Sequence, residues 1–128
     1  MNINIKKYIV RLLLIILSSF LVGCATTDKW STTERTKEAA WLILHAVDWR
    51  QTAYAMDRPD KYEELNPILG KHPSEGRLNL FILTTTIGHI LITNYIPKEH
   101  RSVWQNISIG FKLGAVSNNF YVGAKIKW

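Results

Sequence analysis

The chain has 128 residues, with 16 Lys and Arg against 10 Asp and Glu, a net charge of +6. That length holds one domain rather than two, and a single cysteine, Cys24, excludes an internal disulfide. Beyond Cys24 the basic residues are scattered singly, except at Lys125 and Lys127, so there is no basic stripe interleaved with aromatics of the kind that grips nucleic acid.

Three of the positive charges, Lys6, Lys7 and Arg11, precede Cys24, which leaves 13 basic against 10 acidic residues, a net +3, on residues 24–128. Lys6 and Lys7 precede a mostly apolar run from Tyr8 to Val22, broken by Arg11, Ser18 and Ser19, whose uninterrupted core is only Leu12 to Leu17. A spanning helix needs about 20 apolar residues. A positive end, a short apolar core and small residues near position 23 therefore predict a secretory signal removed on export. Leu21-Val22-Gly23-Cys24 closes it. This tetrapeptide resembles the lipobox of bacterial lipoproteins. The resemblance implies cleavage between Gly23 and Cys24, thioether diacylation of Cys24 and acylation of the new amino terminus by palmitate-class chains. Two or more acyl chains make a stable bilayer anchor where one does not. In that family an Asp after the cysteine retains the product at the inner membrane, so Ala25 implies the outer membrane. The partner so implied is membrane lipid. The expected organisation is a signal over 1–23, an acylated tether over 24–33 and a mainly α, three-helix domain over 34–128.

Ser31-Thr32-Thr33-Glu34 fits a capping box, with Ser31 as N-cap and Glu34 three residues on. The first helix should run to about Asp57, ahead of Arg58-Pro59. Leu42, Ala46, Trp49 and Ala53 form an apolar stripe at helical spacing. His45, Asp48 and Thr52 form a second, polar stripe.

A connector punctuated by Asn66-Pro67, Gly70, Pro73 and Gly76 follows. Its Glu64 and Asn66 are expected to cap the second helix, which restarts near Pro73 or Ser74. From Leu78 to Ile96 that helix has 19 residues without formal charge if His89 is neutral, close to the spanning length. Three threonines, Asn79, His89 and Asn94 weaken a membrane reading, so insertion of this helix stays open. The third helix should begin at Pro97 and carry Trp104, Ile107, Phe111, Gly114 and Asn118 along one face. Gly110 and Gly114 have the spacing that lets helices approach closely. Strict alternation over Ile107–Ala115 and Phe120–Trp128 also fits a hairpin. We favour a helix to about Asn119, then a short extended tail.

The segments "HAVDWRQT" and "YEELNPILGKHPSEGR" resemble small proteins of bacterial and phage genomes that place a similar E-x-N-P-x-x-G-x-H-P connector between apolar helices. The resemblance covers about half the chain and implies no activity.

The sharpest candidate for chemistry is His45, Asp48 and His89, which antiparallel packing of the first two helices would bring together. Two imidazoles and a carboxylate suit a divalent metal such as Zn²⁺, or general acid–base work of a hydrolase kind. Glu64 or Asn118 would complete such a set, but the reading we favour is a buried hydrogen-bonded network that fixes helix register, with Thr52, Glu64, Asn66 and Asn118 as a structural polar cluster. Apart from that metal the sequence calls for no cofactor. His72 and His100 are expected in solvent, and the five tryptophans in a core. The leading expectation is a structural or interaction module of the cell envelope, with an envelope protein as possible partner. A metal-binding protein or enzyme is the alternative, and a phage-encoded envelope or lysis factor a further one.

Overall fold

Ser31 starts the first helix as the sequence predicts. Its Oγ accepts from the Glu34 N–H at 3.2 Å, and a Glu34 carboxylate oxygen accepts from the Ser31 N–H at 2.7 Å. This reciprocal box satisfies two donors that a helix start leaves unpaired. The computed structural model describes residues 29–126. The signal segment 1–23, Cys24 and the first part of the tether lie outside the described residues, as do Lys127 and Trp128.

The three helices are α1 (Thr32–Met56), α2 (Glu75–Tyr95) and α3 (Lys98–Tyr121). α1 ends at Asp57, where Arg58 turns back to donate to the Tyr54 carbonyl at 3.0 Å and stacks 3.8 Å from the Tyr54 ring centre. Pro59 lacks the N–H to continue the helix. Ser74 caps α2 by accepting from the Arg77 N–H. Ile96 is extended ahead of Pro97, as a residue before proline must tend to be. Pro97 itself is the N-cap of α3, one position before the first helical turn expected of it. α3 runs unbroken to Tyr121, so no hairpin forms, and among the described residues there is no strand.

The hydrogen bonds give the topology. Glu34 meets Arg101 and Asp48 meets Lys112, so α1 and α3 run parallel. Glu38 meets His89 and Trp49 meets Asn79, so α2 runs antiparallel to both. One end of the bundle therefore holds the start of α1 and the tight α2–α3 turn, and it is the end the tether enters. The other end holds the connector, residues 57–74, and the chain after α3.

The connector is ordered by its own polar groups. Glu64 accepts from the Asn66 N–H and Asn66 Oδ1 accepts from the Ile68 N–H, so both cap this turn and leave α2 to Ser74. Gly70 takes φ +78, the left-handed region that costs other residues dearly. Arg77 donates to the Ile68 carbonyl at 2.7 Å, and the Tyr62 hydroxyl donates to the Gly123 carbonyl at 3.0 Å. These bonds fasten the connector to α2 and to the chain after α3.

Burial inverts the expected pattern. Leu42 and Ala46 of the apolar stripe face outward, while Glu34, Glu38, His45 and Gln51 face the interior beside Trp41. Ile107, Phe111 and Gly114 are likewise exposed. A Cβ added at Gly110 or Gly114 would meet nothing within 4 Å, so their spacing brings no helix of the bundle closer. Of the tryptophans expected in a core, Trp41 is buried, and Trp30, Trp49 and Trp104 are only partly so. No helix among the described residues is long and apolar enough to cross a membrane.

Two glycines separate backbone strain from packing. Gly70→Ala is expected to lower stability by about 1 kcal/mol because its φ is left-handed. Gly88→Ala in α2, where a Cβ meets nothing within 4 Å, is expected to raise it by about 0.5–1 kcal/mol. Chemical denaturation of the two variants reads the opposite signs.

Candidate functional site

A spine of polar side chains runs along the bundle from the tethered end. Glu34 lies first on it. Its Oε1 accepts from Arg101 at 3.3 Å, and its backbone carbonyl accepts from Gln105 Nε2 at 3.0 Å. Arg101 has no exposed surface, and its Nε donates to the Thr93 carbonyl near the end of α2 at 3.0 Å. The Ser31 N–H, more than Arg101, holds the Glu34 carboxyl below its ordinary range, against the opposing effect of burial.

One turn on, Glu38 Oε2 accepts from Gln105 Nε2 at 3.1 Å and faces His89 Nε2 at 3.3 Å. The His89 ring lies nearly parallel to Trp41, centroids 3.6 Å apart, and also stacks on Trp104 at 5.5 Å. Trp104 is held in turn by its Nε1–H, which donates to Thr93 Oγ1 at 3.0 Å.

His45 stacks on the same Trp41 at 4.7 Å. Its Nε2 lies 3.2 Å from Thr85 Oγ1 and 3.4 Å from the Ile82 carbonyl. Thr85 Oγ1 also lies 2.7 Å from the Phe81 carbonyl and 3.1 Å from the Ile82 carbonyl. His45 Nδ1 is buried without a hydrogen-bond partner among the described residues. Desolvation first, then the positive charge of Lys112, push the His45 pKa from 6.5 down to about 4. The ring is neutral at physiological pH.

Asp48 pairs with Lys112 Nζ at 2.6 Å and accepts from Asn119 Nδ2 at 3.1 Å. Gln51, wholly buried, donates to the Val116 carbonyl at 3.5 Å and completes the spine. Beyond it a cleft of about 570 Å³ opens between α1, α2, α3 and the connector. Thr52, Glu64, Asn66 and Asn118 are among the residues that line it. Leu69, Leu78, Phe81 and Ile82 give it apolar walls. Its volume and mixed lining are those of small-molecule clefts.

The trio proposed for metal binding or catalysis is dispersed. His45 is spent on Thr85, Asp48 on Lys112 and Asn119, and His89 on Glu38. No group of three His, Cys, Asp or Glu side chains among the described residues is placed to hold a metal ion. His72 and His100 are exposed as expected. Glu38, Arg101, Gln105, Lys112 and Asn119 were not singled out by the sequence, and Glu34 only as a cap. One signal did exist: Lys112 is the sole formal charge between Ser102 and Ala124, and an isolated charge in such a run needs a partner. No protein-family model, curated protein or solved structure matches the chain.

Two tests address the spine. His45 keeps its neutral form down to about pH 4 when folded and gains a proton near 6.5 when unfolded. The unfolded state thus binds more protons in that window, and stability falls as pH drops from about 6.5 towards 4. Glu34 adds a loss of the same sign below 4.5, since its folded pKa is depressed. His45→Gln is expected to flatten the upper part of a Tm-against-pH curve and leave the part below 4.5. Asp48→Asn or Lys112→Met alone is expected to cost about 2–3 kcal/mol, because each strands a half-buried charge. The double variant Asp48→Leu with Lys112→Met should cost less than the sum. Strict additivity in a denaturation cycle would show the two side chains to be uncoupled.

Proposed function

We propose that the chain is a lipid-anchored protein of the bacterial cell envelope, held by acylated Cys24 in the outer membrane, and that its three-helix domain is a structural or interaction module. The address rests on Leu21-Val22-Gly23-Cys24 and on the charged, apolar segment before it. The tether is short, since Cys24 lies seven residues before the N-cap Ser31. At full extension it reaches only about 25 Å, so the domain stays against the leaflet that holds the anchor.

The observation that carries a module over an enzyme is the engagement of the ionisable groups. Glu34 with Arg101, Glu38 with His89, and Asp48 with Lys112 are paired across helices, in or near the interior. General acid–base catalysis needs a titratable group aimed at a reacting molecule, whereas these aim at one another. The connector end, with its cleft, is the end turned away from the tether, and we assign contact with a partner to it.

Intact-mass spectrometry of the membrane fraction tests the address. The expected product begins at Cys24 and carries the added mass of its acyl chains, and Cys24→Ser loses both. A chain that keeps Met1 and a free thiol overturns the proposal.

A further inference from the structure

The outside of the bundle is as unusual as its inside. On α2, Leu80, Leu83, Ile87 and Ile90 form a stripe of exposed apolar side chains at helical spacing. On α3, Val103, Ile107 and Phe111 do the same, Phe111 with 78 % of its surface exposed. Rows of exposed apolar side chains along a helix face mark a surface with an occupant more often than isolated ones do.

We propose that these exposed faces of α2 and α3 lie against the acyl chains of a lipid leaflet. Three observations favour lipid over a second copy of the chain or another protein. The first is where charge goes. α2 has no formal charge from Leu78 to Ile96 apart from His89, which is buried. The single charge of α3 beyond Arg101, Lys112, turns in to Asp48.

The second is how the polar side chains on these helices are satisfied. Thr84 donates to the Leu80 carbonyl, Thr86 to Ile82 at 2.8 Å, Asn94 to Ile90 at 2.9 Å and Ser108 to Trp104 at 2.8 Å. Each uses the carbonyl one turn back on its own helix, and Asn79 accepts from Trp49. A hydroxyl so bonded asks little of its surroundings, which matters where no water can supply a partner. A protein partner would instead profit from free donors and acceptors. Asn106 and Ser117 interrupt the α3 surface, and neither is charged.

The third is the tether. It delivers the α1 start and the α2–α3 turn to within about 25 Å of the acylated cysteine. Lys29, Arg35 and Lys98 are exposed at that end, where basic side chains meet anionic headgroups. Contact along a flank is what this surface asks of lipid, and it requires no helix to cross alone. This inference rests on the anchor for its choice of leaflet.

The test uses the full, acylated chain in vesicles of phosphatidylcholine with brominated acyl chains. With Cys24 capped by lipid, a cysteine introduced by Leu83→Cys, Ile87→Cys or Phe111→Cys is the one free thiol, and it carries a fluorescent label. Lys61→Cys and Lys71→Cys label the connector. All five positions are exposed, and circular dichroism confirms that each variant keeps its helix content. Bromine is expected to quench the three flank labels roughly threefold or more and aqueous iodide to spare them, with the connector labels reversed. Iodide reaching the flank labels as readily as the connector labels overturns the proposal. So does a flank shielded from both quenchers that gives disulfide-linked dimers through residue 111, which would assign it to a second copy. Because intact mass reads the anchor in the same preparation, a failed lipid contact with acylated Cys24 is distinguishable from a failed anchor.

Discussion

The carboxylate of Glu34 stands between two donors from different helices. The Ser31 N–H at 2.7 Å opens α1, and the Arg101 guanidinium at 3.3 Å belongs to the first turn of α3. Arg101 passes the constraint on by donating to the Thr93 carbonyl near the end of α2. Gln105 adds a bond to the Glu34 carbonyl. A single capping residue thereby sets the height at which three helix ends meet. If α3 slid by one turn, about 5.4 Å, the bonds from Arg101 and Gln105 would be lost together. The pair is not stabilising merely because it is buried, since desolvation offsets much of the attraction between buried charges. Its value lies in register.

The same logic continues up the spine. Glu38, His89, Asp48 and Lys112 each find their partner only when α1 and α3 run parallel with α2 reversed. Glu38 Oε1, His45 Nδ1, Gln51 Oε1 and Gln105 Oε1 are buried without a hydrogen-bond partner among the described residues. An interior built this way gives up stability that an apolar one would have, while Leu80, Leu83 and Phe111 gain little by folding because they stay outside. In water that arrangement is poor on both counts. Against hydrocarbon the second cost disappears, because an apolar side chain is at home there.

Element boundaries were legible in the sequence because they are local. Ser31 with Glu34, Arg58-Pro59 and Ile96-Pro97 each act within a turn of the chain, and α1 and α3 start within a residue or so of where these signals put them. Of the residues read as a polar cluster, Glu64 and Asn66 spend their side chains on the connector's own turn. Orientation was not legible. An apolar stripe is read as a core, yet Leu42 and Ala46 of that stripe lie on the outside of α1. The His45, Asp48 and His89 trio failed for a related reason. Spacing on two helices places side chains near one another, but Asp48 is drawn to Lys112 and Asn119 on the third helix, while His45 turns to Thr85 and His89 to Glu38. Lys112 and Asn119 lie more than sixty residues from Asp48 and leave no local trace beyond the isolation of Lys112.

The two ends of the bundle are held differently, and this bears on where a partner can act. At the tethered end α2 is clamped to α3 through Thr93, which receives Arg101 on its carbonyl and Trp104 on its hydroxyl. Towards the connector, α2 leans on α1 instead, through Thr85 with His45 and Asn79 with Trp49. The gap left between α2 and α3 there is the cleft, with Phe81 and Ile82 on one side and Ala115 and Asn119 on the other. A molecule entering it displaces no cross-helix bond of the clamp. It does meet the Asp48–Lys112 pair, which lines the same space. Because Lys112 also helps to keep His45 neutral, anything that draws its ammonium away from Asp48 alters the field at the centre of the spine. The open end is thus electrically coupled to the core while remaining mechanically separate from the end where α1 begins.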